Sequence, residues 1–199
     1  MKKRLVICST CLLLLGGLTA YQTTADYVAE LTTTNVVTTG NVEIELIEEY
    51  LDEFGETVVF DSTLTHEVVP GDSYSKIPYI TNTGSESCYV RIYLATEATL
   101  GDEVLTADEL QFDINDVNWV AEDDTSVSGW YRYDGVLESG QSTEPLFTEV
   151  AFALSMGNDY IGYAIDVNLQ AQGVQYEYNE LEDGETILDV TGWPASDRN

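Results

Sequence analysis

Basic residues are scarce in this sequence, and their scarcity excludes several classes of function. Only seven Lys and Arg stand against 36 Asp and Glu in 199 residues, which gives a formal net charge of −29. A field of that sign repels the phosphates of nucleic acids and anionic membrane surfaces. We therefore predict that neither is a partner. The same field favours solubility and attracts divalent cations or cationic polymers.

Cysteine and histidine are also nearly absent. Cys8 and Cys11 lie in an apolar N-terminal stretch, which leaves Cys88 as the third cysteine and His66 as the single histidine. A zinc peptidase uses about three protein ligands, commonly His or Glu, and this chain has no His-Glu-x-x-His pair. No histidine or basic residue adjoins Cys88 to form a thiolate nucleophile. The sequence therefore nominates no catalytic residue, and we predict that the protein is not an enzyme.

The N-terminus has the three parts of an export signal. Basic residues at 2–4 precede an apolar run at 5–15, and small residues follow up to Ala20. The run is shorter than the roughly 20 residues of a membrane span. We predict a signal helix over 1–20 cleaved between Ala20 and Tyr21, with Ala25 as a second site and a retained anchor as the alternative.

Cleavage at this point defines the mature protein. It leaves four basic residues against 36 acidic ones, a net charge of −32 over residues 21–199, with Cys88 as the only cysteine. An intramolecular disulfide is then excluded, so an extracellular domain must depend on its core. We expect the mature protein outside the cell or on its surface, without a membrane partner.

Most of the mature sequence alternates between apolar and polar residues with period two, which indicates strands with one buried face. The alternation is clearest at 42–46, 88–94, 146–154 and 161–171, and turn motifs such as PGD at 70–72 and NTG at 82–84 separate the segments. We predict an all-β fold, an antiparallel jelly-roll-like β-sandwich. A capping-box pattern predicts one short helical turn near 106–111.

These patterns divide the chain into four parts. The signal peptide at 1–20 is followed by an extended arm at 21–40 and by the sandwich domain at 41–175. The remainder, 176–199, is acidic and less regular, and we interpret it as an acidic tail or an edge strand. Four aromatic residues at 119–133 suit either cross-strand packing or a sugar-stacking platform.

Several segments in this order resemble the TasA/camelysin-type exported proteins, which a SipW-type signal peptidase processes. The resemblance is carried by GGLTAY at 16–21, TGNVEIEL at 39–46, VPGD at 69–72, ITNTG at 80–84, YVRI at 89–92, and WYRYDGVL at 130–137 running into SGQSTEPLF at 139–147. It implies a jelly-roll-like sandwich, export, and assembly into extracellular matrix fibres. It also implies an alternative, a camelysin-like cell-surface metallo-endopeptidase. A surface adhesin or carbohydrate-binding module is a third hypothesis.

Two acidic clusters are the candidates for binding a divalent cation. Oxygen ligands suit calcium, and calcium is the one cofactor that the sequence leaves open. Neither cluster has the glycine and terminal glutamate spacing of an EF-hand loop, which favours the interpretation of both as solvated acidic loops. The residues concerned are Asp113, Asn115, Asp116, Asp123 and Asp124.

The arm at 21–40 is the candidate for self-association. It is rich in Thr and Val, and only Asp26 and Glu30 are charged. Edge strands of a sandwich accept a strand from another chain, and this arm has the composition of such a donor. Tyr27, Ala29 and Leu31 form a continuous apolar row, which predicts the face that docks. The alternative is that the arm completes the sheet of its own domain.

Overall fold

The computed structural model describes residues 27–30, 34–38, 41–60, 65–107, 109–123, 126–156, 160, 163–177 and 179–195. Within these residues the regular structure is all strand except for one 3-10 turn, Ile187–Asp189, so the predicted all-β class is confirmed. No helix in this part of the chain is long and apolar enough to cross a membrane. The strands are β1 (Tyr27–Glu30), β2 (Thr34–Thr38), β3 (Ile44–Leu51), β4 (Thr57–Val59), β5 (Thr65–Val68), β6 (Ser73–Ser75), β7 (Ile77–Asn82), β8 (Cys88–Leu100), β9 (Glu103–Thr106), β10 (Leu110–Phe112), β11 (Trp119–Ala121), β12 (Gly129–Tyr133), β13 (Glu149–Phe152) and β14 (Ala164–Gln175).

The first layer is an eight-stranded sheet built around β8 and β14. These two long strands pair antiparallel from Cys88↔Gln175 to Thr99↔Ala164. The strand order is β11-β12-β8-β14-β1-β5, with β2 also beside β14 and β9 also beside β8. Both ends of the described chain contact this central pair, the N-terminal end by strand pairing and the C-terminal end by side-chain packing.

The second layer consists of two three-stranded sheets, β4-β3-β7 and β10-β13-β6. Backbone hydrogen bonds join them: Thr143 N–H donates to the Ile80 carbonyl (2.8 Å), and Leu146 N–H donates to the Pro78 carbonyl (3.0 Å). The Lys76 N–H donates to the Thr148 carbonyl at 3.1 Å. The segment from 143 to 148 thus connects the two small sheets into one layer facing the large sheet.

The core lies between the layers and follows the alternation in the sequence. Cys88, Val90, Ile92 and Leu94 on β8 are fully buried, and they belong to one cluster with residues of the second layer such as Ile80. The Cys88 side chain is a buried apolar group, and its burial raises the pKa of the thiol to about 12. Truncating such a core side chain to Ala costs about 2–5 kcal/mol of stability.

The predicted antiparallel arrangement is only partly right, because the large sheet is mixed. Both β1 and β2 run parallel to β14, while β5 runs antiparallel to β1. Alternation of apolar and polar residues reports which faces are buried, not the direction of the neighbouring strand, so the sequence pattern did not contain this information. The jelly-roll connectivity stays a prediction.

The predicted helical turn near 106–111 is wrong. The strand β9 ends at Thr106 and β10 begins at Leu110, and the described residues between them include one tight turn in which Leu110 N–H donates to the Ala107 carbonyl (3.2 Å). Pairing of β9 with the end of β8 explains the difference, since tertiary pairing overrides a local capping pattern.

The C-terminal segment is neither an edge strand nor a detached acidic tail over its described residues. Residues 179–195 contain no strand, and they carry the 3-10 turn Ile187–Asp189. Ile187 and Val190 are buried in a second apolar cluster with Tyr89 and Val174, on the outer side of the large sheet. The large sheet therefore packs against other parts of the chain on both of its faces.

Candidate assembly site

The N-terminal segment occupies a place inside the large sheet. β1 lies between β14 and β5, with Ala29 paired to Ile165 in the parallel direction and to His66 in the antiparallel direction. Ile165 is fully buried in the core. A strand in this position satisfies backbone groups on two neighbours at once, so its loss would leave two strand edges without partners.

β2 continues along the same edge of β14. It pairs parallel to β14 from Thr34↔Leu169 to Thr38↔Gly173. Glu30 pairs with Asp166 and Thr34 pairs with Leu169, so the N-terminal segment advances by four residues while β14 advances by three. The pairing register with β14 therefore shifts by one residue between β1 and β2. Over its described residues the segment pairs with β14 at positions 164–166 and 169–173.

The residues predicted to form the docking face are placed as follows. Tyr27 and Ala29 lie in β1, where they pair with Val68 and with Ile165, respectively. Leu31 lies outside the described residues, as do Ala20 and Tyr21 at the predicted cleavage site. In this single chain the segment pairs with its own domain, which is one of the two arrangements that the sequence left open.

The positive charges of the described residues are all withdrawn from the surface. Lys76, Arg91 and Arg132 are the basic residues in this part of the chain, and all three are buried. Lys76 forms an ion pair with Glu48, and its ammonium lies 4.3 Å from the centroid of the Phe60 ring. Burial lowers the pKa of Lys76, and the carboxylate of Glu48 opposes that shift. The charged groups left on the described surface are therefore carboxylates.

The two arginines share one carboxylate on the outer face of the large sheet. Glu122 Oε1 accepts from Arg132 Nε at 2.6 Å and from Arg91 Nη1 at 2.7 Å. Burial alone would raise the pKa of Glu122, but the hydrogen bonds from Arg132 and Arg91 outweigh it and hold the pKa below its usual value. Gln172 Oε1 accepts two further bonds from Arg91, at 3.1 and 2.8 Å.

These arginines also fasten the C-terminal segment to the sheet. Arg132 Nη1 donates to the carbonyls of Ile187, Leu188 and Val190, each at 2.9 Å. The Arg91 guanidinium lies between two indole rings, 4.0 Å from the centroid of Trp130 and 4.5 Å from that of Trp193. Such contacts stabilise both partners, and together they define a structure that we call the C-terminal clasp: Arg91, Arg132, Glu122, Gln172 and Trp193.

The predicted calcium ligands on the first acidic loop have structural roles. The Asp113 carboxylate accepts from the N–H of Thr148 (2.8 Å) and of Glu149 (2.7 Å), and from the Thr148 hydroxyl (2.5 Å). Asn115 accepts from Asn118 N–H and donates to the Pro145 carbonyl. Burial would raise the pKa of Asp113, and the bonds from Thr148 and Glu149 lower it overall. These contacts anchor the loop to β13.

The remaining ion candidates do not form a recognisable site. Asp116 and Asp123 are exposed, and Asp124 lies outside the described residues. Across the part of the chain that is described, no three His, Cys, Asp or Glu side chains are placed so that they could hold a metal ion. Calcium binding therefore stays a prediction from sequence.

The aromatic residues at 119–133 pack within the fold. Trp119, Trp130 and Tyr131 are buried, and Trp119 stacks edge to face against Tyr133 with ring centroids 5.3 Å apart. The Trp119 indole N–H donates to the Glu144 carbonyl at 3.0 Å. Cross-strand packing, one of the two interpretations of these residues, is thus confirmed for them.

Comparison with models of known protein families, with curated proteins and with solved structures gave no significant match.

Sequence reasoning missed the C-terminal clasp. Arg91 alternates with buried residues on β8, and one-sided alternation of this kind predicts a face exposed to solvent. The available signal was compositional. Two of the four basic residues that follow position 20 lie in strands among aromatic residues, and the acidic C-terminal segment contains isolated apolar residues such as Ile187 and Trp193.

Proposed function

We propose that this chain is a secreted structural protein of the TasA/camelysin type, a biofilm-matrix or surface-fibre component that self-associates by strand exchange. The observation that carries the proposal is the position of β1 and β2. The N-terminal segment is attached to the sheet along β14 and β5 through backbone pairing. The same positions on the sheet accept the corresponding segment of another copy.

Backbone pairing permits this exchange between copies. Ladder hydrogen bonds depend little on side-chain identity, so a strand from a second copy forms the same bonds as the chain's own strand. The rest of the described surface is acidic and repels other copies. Self-association by this route therefore needs no complementary charged surface.

Export gives the assembly a control point. Before a SipW-type signal peptidase acts, the arm at 21–40 is tethered to the apolar signal segment. Cleavage between Ala20 and Tyr21 releases the arm outside the cell, where it can pair with another copy. We expect mature protein from the culture medium to begin at Tyr21, and N-terminal sequencing or intact mass measures this.

Electron microscopy of purified residues 21–199 over time tests assembly. Fibres are expected from the mature chain and not from a chain that lacks residues 21–34. Leu31→Asp should impair assembly more than its neighbour Thr32→Asp, because Leu31 belongs to the apolar row predicted to be buried. Circular dichroism measures whether the shortened chain is folded.

Two results would contradict the proposal. A shortened chain that folds and still forms fibres would place the contact elsewhere. A mature chain that stays monomeric over time would show that the segment pairs only within its own sheet. In either case the exchange mechanism is wrong.

No catalytic step forms part of this proposal. With zinc added, the purified protein is expected not to cleave casein above a buffer control. Chelator-sensitive cleavage that His66→Ala abolishes would instead support the metallo-endopeptidase alternative.

A further inference from the structure

The outer face of the β4-β3-β7 sheet carries an apolar surface. Along β7 the alternation is regular, with Pro78 and Ile80 buried towards the core while Ile77 and Tyr79 are half-exposed on the other side. Tyr79 is directly paired with Ile47 on β3. None of the three half-exposed residues packs against either apolar core cluster. They therefore face away from the core of the sandwich.

Two more apolar residues extend this surface to the edge of the sheet. Glu49 is paired with Ile77 on one side and with Val59 on the other, which places Val59 on the same outer face. Leu51, two residues beyond Glu49, shares that face. The side chains of Val59 and Leu51 are 69% and 48% exposed. We call these five residues the β3–β7 patch: Ile47, Leu51, Val59, Ile77 and Tyr79.

The patch ends at a strand edge that has no partner in the described structure. β4 is the terminal strand of its sheet, and within the described residues it pairs only with β3. All three of its residues are exposed. An edge strand with exposed apolar side chains is a template for another extended segment.

The charges around the patch decide what kind of segment fits. Glu45 and Glu49 alternate with Ile47 and Leu51 on the outer face of β3, and Tyr79 lies close to both carboxylates. Burial, then a hydrogen bond and charge from Glu49, raise the pKa of Tyr79, with Glu45 adding to the shift. The exposed residues Glu53 and Glu56 lie in the hairpin that joins β3 to β4. The apolar surface is therefore bordered by carboxylates.

A second copy of this chain does not match that border. The basic residues of the described part, Lys76, Arg91 and Arg132, are all buried, so the described surface of a second copy offers no cation to Glu45 or Glu49. Two copies meeting through this patch would bring carboxylates together, which is unfavourable. The complementary occupant has apolar side chains and positive charges.

We propose that the β3–β7 patch binds an extended segment of a different protein that carries apolar residues and Lys or Arg together on one face. The segment pairs with the open edge of β4, and every second side chain of an extended strand points to the outer face. On that face its apolar side chains contact Val59 and Leu51, and its cations lie near Glu49 and the hairpin carboxylates. This interaction does not depend on exchange of the N-terminal segment, since the two surfaces belong to different sheets.

The probe, called the Lys/Val peptide, is a synthetic peptide of about eight residues, the length of a common strand, in which Val and Lys take turns on one face and Ser fills the other face. Isothermal titration measures its binding to the purified protein beside the Lys/Ser peptide, which has the same charge and carries Ser in place of each Val. The Lys/Val peptide is expected to bind about tenfold more tightly, because only it buries apolar side chains. Hydrogen exchange at β4 amides should slow when it binds.

Matched substitutions locate the binding surface. Val59→Ser and Leu51→Ser should each weaken binding of the Lys/Val peptide about fivefold or more. Val117→Ser and Leu154→Ser change side chains that are 80% and 83% exposed but lie outside the patch, and they should leave the dissociation constant unchanged.

Three results would overturn the proposal. Equal binding of the Lys/Ser peptide would show non-specific attraction to an acidic protein. Equal losses in the patch variants and the control variants would place binding elsewhere. Sedimentation that shows a dimer which Val59→Ser converts to a monomer would make a second copy the occupant.

Discussion

The two ends of the described chain are attached to the same large sheet by different kinds of interaction. β1 and β2 join it through backbone ladders along β14. The C-terminal segment forms no strand, and it is held by the Arg132 bonds to three carbonyls and by Trp193 stacked on Arg91. A ladder accepts many sequences, whereas a clasp of named side chains accepts few. We infer that the N-terminal end is suited to exchange and the C-terminal end to permanent closure.

The largest effect is expected at the clasp. Arg132→Ala removes one partner of Glu122 and leaves three carbonyls without their donor, so the free energy of unfolding should fall by about 3 kcal/mol. Urea denaturation followed by tryptophan fluorescence measures this. Arg132→Lys keeps the charge but not the planar fork, and it should recover only part of the loss. An unchanged midpoint for Arg132→Ala would mean that the clasp adds nothing to stability.

Next in size is the substitution of the N-terminal strand. Ala29→Pro removes a backbone donor from a strand with neighbours on both sides, and stability should fall by about 2 kcal/mol. Ala29→Ser, which keeps the N–H, is the control. The proline variant should impair assembly while Arg132→Ala leaves assembly intact in conditions where that variant is folded. Equal effects of both variants on assembly would remove the distinction between the two ends.

A smaller effect on stability is expected from pH, and it concerns the C-terminal clasp alone. The Glu122 pKa is lower in the folded chain than in the unfolded one, so its contribution to stability is present above the ordinary value of about 4.3 and is lost as the pH falls through the lowered value. Glu122→Gln should be less stable than the wild type by about 1 kcal/mol at pH 7. The gap should narrow from about pH 5 downwards. A constant gap across melting curves at several pH values would contradict this assignment.

The smallest effect on stability is expected from salt. Between about 0.01 M and about 1 M, the Debye length falls from about 30 Å to about 3 Å, so repulsion between acidic copies weakens. Assembly should accelerate, and millimolar calcium at constant ionic strength should act in the same direction. The clasp is partly buried and should respond less. Sedimentation and melting curves that stay the same across these conditions would exclude an electrostatic control of assembly.

Much of the fold could be predicted from alternation, because one buried face produces a period of two. The buried row from Tyr163 to Ala171 and the buried residues Val42, Ile44 and Leu46 agree with the sequence pattern. The buried row predicted for residues 146–154 does not hold throughout. Leu154 is exposed, and the Thr148 hydroxyl donates to the Asp113 carboxylate at the surface. Alternation predicts burial only as far as another layer covers the strand.

The rest depended on contacts distant in sequence. The parallel placement of β1 is set by β5 and β14, which are separated from each other by about a hundred residues. Similarly, Arg132 reaches carbonyls more than fifty residues away. Local patterns contain neither relation, so neither the mixed sheet nor the clasp followed from them. The acidic clusters could not be resolved for a different reason. The sequence contains many carboxylates, and composition does not show which of them lie close together in the fold.

The burial of Lys76, Arg91 and Arg132 has a consequence for resistance to proteases. Trypsin-like proteases cut after lysine or arginine and need an extended, accessible chain around that residue. In the described part of the folded chain, each such residue lies in or beside a paired strand with its side chain inside the protein. Digestion there requires local unfolding first, so resistance to these proteases should follow the stability of the sheet.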